Sequence, residues 1–344
     1  MTSVRILDIA AEAGVSRSLV SKVLSGRMGT STVRPELASR IRSIARARGF
    51  VPNAAARSLH SGRQDAVAVF LSRHGTEGSA LVERFLDGVS CELARSGRRM
   101  ELQFFHDEDD FRRNCLPAAA RARVDGVLFG GSPYFDLAPV IGEIVARGLP
   151  VVTVFGDPVA PAAPNAGVSQ EAVGETAARH LLRSGSNRPL ALVSPGFAER
   201  VGERRLAGFR AALAEAGVPL PDDRVIAIRR TYTPKPDVLA HVADLARRGA
   251  IDAVFCESDR GAALVLNALL AAGVRVPESV KILGVDDSPY CSFTALPLSS
   301  VSGREKERAA AGVHLIDEAL AGGTPASVLL APSVVARATT STSL

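Results

Sequence analysis

Residues 5–26 read RILDIAAEAGVSRSLVSKVLSG. In register, the stretch makes a helix over about residues 6–13, a turn at Gly14 and a second helix that begins after Ser16. Ile6, Ile9, Ala10 and Ala13 recur at helical spacing and form one apolar stripe. Glycine suits a left-handed turn because it carries no Cβ, and Ser16 suits the N-cap of the second helix. There Val20, Val23 and Leu24 point inward. Arg17, Ser18, Ser21 and Lys22, spaced i, i+1, i+4 and i+5, share the opposite face. That face is short, polar and cationic, with no acid on it. It fits the major groove, where Arg and Lys read guanine edges and hydroxyls hold phosphates. The plainer alternative is a pair of surface helices in an ordinary domain.

The charge distribution favours the first reading. Residues 1–64 hold eleven Lys and Arg against three acids, Asp8, Glu12 and Glu36, a net of +8. The remaining 280 residues carry about −3. A basic head on a mildly acidic body is the electrostatic footprint of a nucleic-acid module joined to something else. The 344 residues suffice for two or three domains. Hydrophobic residues make up 47%, aromatics 5%, and Trp is absent, so the core is expected to be aliphatic and alanine-rich. Cys91, Cys115, Cys256 and Cys291 form no CxxC and read as buried, reduced thiols of a cytosolic protein. No apolar leader opens the chain and no run reaches 18 apolar residues, which argues against export and a membrane span.

Outward from the helix pair, residues 35–48 form a third helix, with Pro35 at its first position, Leu37, Ile41, Ile44 and Ala45 as its stripe, and Gly49 as its end. Residues 52–62, PNAAARSLHSG, form a short segment in which Asn53 can cap and Gly62 can stop a helix. About nine residues make a helix only against a partner. From Asp65 the pattern changes to alternation. Strands are expected at 66–72, 100–105, 126–131, 150–155, 189–194, 224–228, 252–256 and 280–285, with helices between them. Such alternation means parallel sheets, and this many strands fit two lobes. The organisation expected is a helix-turn-helix domain over 1–50, a hinge or linker over 51–64 and a two-lobed core over 65–344. Lobe crossovers are expected near 157–165, 289–299 and 322–327.

Four motifs in order now carry a resemblance: DIAAEAGVSRSLVSKVLSG (8–26), VPNAAARSL (51–59), RRLAGFRAALAEAGV (204–218) and GVRVPESVKILGVDDSP (273–289). Together they resemble the lactose-repressor family of bacterial transcription regulators over nearly the whole chain. The resemblance implies a small all-α helix-turn-helix head joined to an α/β, periplasmic-binding-protein-like core of two Rossmann-like lobes. It implies a homodimer on a pseudo-palindromic operator in double-stranded DNA, with a small-molecule effector between the lobes. Base-reading positions fall on Arg17, Ser18 and Lys22, and phosphate contacts on Ser16 and Ser21. The hinge leucine that wedges into the minor groove falls on Leu59, with Ala56 beside it and Asn53 at the start of the segment. Ligand positions fall on Arg205, Tyr232, Ser258 and Asp286; Arg200 matches across a one-residue gap, with Glu199 as its rival.

Three departures stand out. Leu19 replaces a recognition-helix hydroxyl, Arg34 stands where a Ser cap is usual, and the loop at 72–85, SRHGTEGSALVERF, lacks an Asn-Pro-Phe-Phe-like segment. The last removes an aromatic platform from the effector cleft. No leucine heptads follow Ser333, so a dimer is expected.

Other chemistries find little support. GVLFGGSP (126–133) lacks GxGxxG and GxxxxGK[ST], the six histidines show no metal spacing, and no GxSxG occurs. No catalytic residue, metal site or cofactor is assigned. The competing reading is a solute-binding or sugar-modifying protein on the same core, which would not need the basic head. The expected function is that of a cytoplasmic, nucleoid-associated repressor whose effector, a small polar metabolite such as a sugar, shifts a population of lobe arrangements.

Overall fold

Gly14 has φ +67°, the left-handed conformation its place between two helices requires. It separates α1 (Ile6–Ala13) from α2 (Arg17–Ser25), and α3 (Pro35–Ala47) completes the head. These assignments come from a computed structural model that describes residues 4–25, 33–50, 64–73, 80–117, 124–131, 135–194, 201–228 and 233–341. The helices have 8, 9 and 13 residues, too short to persist alone. Burial joins them: Ile9, Val20 and Ile41 are fully enclosed, with Ala10, Ala13, Val23 and Ala45 around them. The Arg5 N–H donates to Asp8 Oδ2 at 2.8 Å at the start of α1, and the Leu19 N–H donates to Ser16 Oγ at 3.2 Å at the start of α2. Helix α3 begins on Pro35 without a side-chain cap from Arg34, as the departure at that position implies. The expected hinge segment lies outside the described residues.

Residues 65–344 form a second unit containing two lobes. Strand β1 (Ala66–Ser72) is buried along its whole length, the pattern of a central parallel strand covered on both faces. It lies between β2 (Arg99–Phe105) and β3 (Gly126–Gly130), and β4 (Val151–Val154) completes the all-parallel order β2-β1-β3-β4. Helix α4 (Ala80–Arg95) covers one face. The other face carries α5 (Glu108–Asp110), which runs into a π-turn at Phe111–Cys115, and α6 (Ala138–Ala146).

The second lobe orders its sheet β12-β10-β9-β8-β6-β7. Its strands are β6 (Pro189–Val193), β7 (Val225–Ala227), β8 (Ala253–Cys256), β9 (Lys281–Val285), β10 (Ser299–Ser302) and β12 (Ser333–Val335), the last antiparallel. Its helices are α7 (Gln170–Arg183), α8 (Val201–Glu215), α9 (Pro236–Arg247), α10 (Asp259–Ala271) and α11 (Tyr290–Phe293). Helices α7 and α8 touch backbone to backbone: a Cβ on Gly174 would fall on the Arg205 carbonyl, and one on Gly208 on the Glu171 carbonyl.

Three expectations need correction. The core is not purely aliphatic. Phe70, Phe105, Phe111 and Phe129 pack edge-on and tilted on one face of the first lobe, and Phe209 stacks on Phe255 at 4.6 Å in the second. Most of the described phenylalanines are buried, with Phe293 exposed. Cys115, Cys256 and Cys291 are buried as expected, but Cys91 is exposed on the outer side of α4, its Sγ 3.4 Å from Asp87 Oδ1. The crossover expected at 289–299 is also misplaced. Cys291 and Leu298 are buried in the second lobe and β10 pairs with β9, so the chain leaves only at Gly303 and Arg304, where φ is +57° at Arg304. Helix α12 (Glu305–Leu320) then packs on the first lobe through Ala309, Val313 and Ile316.

The other two crossings run side by side. Strand β5 (Ala166–Gly167) pairs with β11 (Val328–Leu329), and the Asn165 N–H donates to Ser327 Oγ at 2.9 Å. The buried Asn165 amide oxygen also accepts from Thr153 Oγ1 at 2.8 Å and the Phe155 N–H at 3.0 Å, tying the crossing to the end of β4.

Candidate nucleic-acid interface and effector cleft

The head presents the face its sequence predicts. Val20 and Val23 fix the inner side of α2, and Ser16, Arg17, Ser18 and Ser21 are exposed on the other, with Lys22 partly covered. The acids of α1 are engaged: Asp8 with Arg5, and Glu12 with Arg48 through an Nε bond of 2.7 Å. No carboxylate therefore competes on α2 for a phosphate. Asn53, Ala56 and Leu59 lie outside the described residues.

In the second lobe, β7 lies on one side of β6 and β8 on the other. The order reverses at β6, and the crevice beyond the carboxyl ends of β6 and β8 is where open α/β sheets bind ligands. Arg205 of α8 enters it, held in place by the α7–α8 contact. Its Nε donates to Gln170 Oε1 at 2.8 Å, one terminal nitrogen donates to the Glu257 carbonyl, and the other lies 3.9 Å from Asp286 Oδ1. Asp286 follows β9 with φ +108°, and Asp287 has φ +49°. Two successive side chains in the left-handed region cost on the order of 1–3 kcal/mol each, a strain typical of ligand sites. Ser258 is buried, and its Oγ accepts from the Gly261 N–H at 3.3 Å as the cap of α10. Arg200 and Tyr232 lie outside the described residues.

Several residues at this cleft carry no sequence-level assignment. Asp259 accepts from the Ser288 N–H and the Ser300 hydroxyl, each at 2.6 Å. Arg84, on α4 of the first lobe, donates to the Asp286 carbonyl at 3.3 Å and to Asp287 Oδ2 at 3.4 Å, joining the lobes. It belongs to the sequence segment 72–85 that lacks an Asn-Pro-Phe-Phe-like run. Glu305 pairs with Arg308 at 2.9 Å, and Arg308 also donates to the Phe155 carbonyl at 3.3 Å. Glu257 is enclosed beside Ser194.

Burial dominates the electrostatics. It pushes the Asp286 carboxyl well above the usual carboxylate range; Arg205 pulls it down, while Asp259, Glu305 and Glu257 push it up further. Burial also raises Asp259 to about 6 against its hydroxyl and amide donors. Glu257 is raised for the same reason, opposed by Ser194 and Arg205. Arrayed donors and acceptors at these strand ends can hold a small polar molecule. Among the described residues no group of three or more His, Cys, Asp or Glu could hold a metal ion, and no helix is long and apolar enough to cross a membrane.

A DNA-reading helix pair and a two-lobed binding core define a ligand-responsive transcription regulator. Comparison with known proteins agrees at both ends. Residues 5–53 match the family model for bacterial regulatory proteins of the lacI family, and residues 178–340 match the periplasmic binding protein-like domain. The chain is 33% identical over 307 residues to the HTH-type transcriptional regulator GntR of Pseudomonas aeruginosa, covering 86% of this chain and 82% of that protein. It is 30% identical over 319 residues to the HTH-type transcriptional regulator CelR of Thermobifida fusca, covering 87% and 88%.

Among solved structures, a CelR–cellobiose complex superposes with a TM-score of 0.66 at 25% identity, over 98% of this chain and 99% of that one. The lac repressor dimer bound to operator and an anti-inducer superposes with a TM-score of 0.73 at 19% identity, over 98% and 99%, a likeness of fold. The chain belongs to the lacI family of bacterial transcription regulators. It is a DNA-binding regulator with a small-molecule effector, and not an enzyme.

Proposed function

We propose that this chain is a repressor that binds a pseudo-palindromic operator as a homodimer in the bacterial cytoplasm, associated there with the nucleoid. In this reading residues 1–50 bind DNA, 51–64 are the hinge and 65–344 are the effector-binding and dimerisation core. Arg17, Ser18 and Lys22 read bases, Ser16 and Ser21 hold phosphates, and Asn53, Ala56 and Leu59 form a hinge that enters the minor groove. The effector is a small polar metabolite held by Arg205, Ser258 and Asp286, with Arg200 and Tyr232 completing the site.

The observation that carries this reading is the placement of Arg205. Its guanidinium is anchored by Gln170 and the Glu257 carbonyl, yet lies 3.9 Å from the nearest Asp286 oxygen. That separation is beyond direct hydrogen-bond length and leaves a guanidinium and a carboxyl group facing one another without a direct bond. A ligand hydroxyl can accept from one and donate to the other.

The test has two parts. Operator sequences are selected from a random DNA pool with the full chain, and small polar metabolites are then screened for a change in operator affinity. Arg205→Ala and Asp286→Ala are expected to abolish the response to an active metabolite while operator affinity survives. If both variants respond as wild type does, the cleft is not the effector site.

A further inference from the structure

Arg84 stands one turn into α4, in the first lobe, yet bonds to the second. One of its guanidinium nitrogens donates to the Asp286 carbonyl at 3.3 Å and to Asp287 Oδ2 at 3.4 Å. Both acceptors belong to one turn, the two residues that follow β9. The second lobe holds that turn firmly. Asp259 accepts from the Ser288 N–H and the Ser300 hydroxyl at 2.6 Å each, and Ser300 Oγ accepts in turn from the Asp287 N–H at 2.9 Å. Gly284 leaves room for this anchor, since a Cβ there would fall on Asp259 Oδ1. Arg337 closes the frame by donating to Asp287 Oδ1 at 2.6 Å and to the Leu298 carbonyl at 2.9 Å.

The two lobes therefore hold Asp287 unequally. Its own lobe binds the carboxylate through Arg337 at 2.6 Å, and the other lobe reaches it through Arg84 at 3.4 Å. The Arg84 side chain is 34% exposed and that of Asp287 17%, so water can take the place of Arg84 at small cost when the lobes part. A contact fixed at one end and separable at the other acts as a latch. Asp286 gives the latch a second input. Its carboxyl faces Arg205 at 3.9 Å, while its carbonyl accepts from Arg84. With φ at +108° and +49°, Asp286 and Asp287 keep their conformation only while their surroundings over-determine it. A molecule that draws on the Asp286 carboxyl therefore also moves the carbonyl and the neighbouring carboxylate on which Arg84 rests.

We propose that Arg84 is a positioning residue that latches the first lobe to the Asp286–Asp287 turn and makes the arrangement of the lobes depend on what the Asp286 carboxyl meets. The dependence on a ligand rests on the cleft being the effector site; the latch itself does not. Two long, partly exposed bonds add little to the stability of the fold, but a small difference suffices to move an equilibrium between lobe arrangements.

The test needs no effector. Cys91 on α4 is exposed, whereas Cys115, Cys256 and Cys291 are buried. Spin labels on Cys91 and on Asp223→Cys, an exposed position in the turn before β7, report the distance between the lobes. The labelled full chain is diluted with unlabelled chain, so that distances within one chain dominate. Pulsed dipolar spectroscopy of the parent chain should give a narrow distribution. Arg84→Ala should broaden it or shift its centre, and Arg84→Lys, which keeps the charge, should recover part of the narrow form. Arg84→Met, which keeps much of the length but no donor, should match Arg84→Ala. Salt at about 1 M, where the Debye length is about 3 Å, should broaden the parent distribution and leave that of Arg84→Ala as it is. With an operator selected from a random pool, at one salt concentration, Arg84→Ala should change affinity by about fivefold or more, the lower end of ordinary coupling between sites.

A distribution identical in the parent chain and Arg84→Ala overturns the latch. So does a parent-like distribution in Arg84→Met, which would mean that packing rather than bonding holds the lobes. A changed distribution with unchanged operator affinity overturns the regulatory role. These readings contain no metabolite, so they stand apart from the cleft. If Arg205→Ala responds to an active metabolite as wild type does, the effector reading fails while the latch is still judged by its own distances.

Discussion

Glu257 and Asp286 differ from surface carboxylates in one respect that can be titrated. Burial raises both, so the folded chain holds their protons more firmly than the unfolded chain does. Stability from such a group is present at low pH. It is lost as pH rises from the unfolded value of about 4.3 for a glutamate through the raised folded value. Glu257 faces Ser194, Arg205, Asp286 and Cys256, and only Arg205 among them opposes the shift with a fixed charge. Glu257→Gln should therefore raise the melting temperature of the ligand-free protein at neutral pH. The gain should shrink as pH falls toward about 4, where the wild-type carboxyl is itself neutral. A gain that stays constant from acid to neutral pH would mean that the carboxyl does not titrate with folding.

At the scale of elements, the head depends on its turn and its cap. Nothing lies within 4 Å of the position where Gly14 would bear a Cβ, so the cost of Gly14→Ala is the strain of φ +67° alone, about 1–2 kcal/mol. Ser16→Ala removes the cap on Leu19 and should cost about 0.5–2 kcal/mol of head stability. On the proposed reading it also weakens binding to all DNA sequences alike. Chemical denaturation of residues 1–50, followed by circular dichroism, checks both. Gly208→Ala has a different effect: the methyl would meet the Glu171 backbone, force α7 from α8 and shift Arg205 relative to Gln170.

These elements also show what could be read from sequence. The turn at Gly14, the cap at Ser16 and the buried runs of β1 and β3 rest on local chemistry, which neighbouring residues express directly. Arg205 and Asp286 stand out as candidates in the sequence because they lie in motifs. Glu257 and Arg84 do not. Arg84 reaches Asp287 across 203 positions, and Arg205 reaches the Glu257 carbonyl across 52, separations that only the sheet order closes. The displaced crossover has a similar cause: Pro289 and Pro297 suggest a linker, yet they flank α11, which is buried through Cys291.

For the whole molecule, the division of charge makes a prediction that does not require knowing the effector. The first 64 residues carry a net +8, and the remainder about −3. Operator binding places the basic head against phosphates and releases condensed counterions, so affinity falls with the logarithm of salt in proportion to the phosphates neutralised. Two heads of a dimer engaging several phosphates each should lose on the order of a thousandfold or more in affinity between about 50 and about 200 mM salt. Effector binding in the acidic core releases no such atmosphere and should change far less over the same range. The two sites are nonetheless linked, because the factor by which effector changes operator affinity must equal the factor by which operator changes effector affinity. Measuring both factors at two salt concentrations tests the account. Equal factors, with a steep salt slope for DNA and a shallow one for effector, are the expected result. A shallow slope for operator binding would remove the basic head as the source of DNA affinity, and unequal factors would mean that effector and operator do not act on one shared equilibrium.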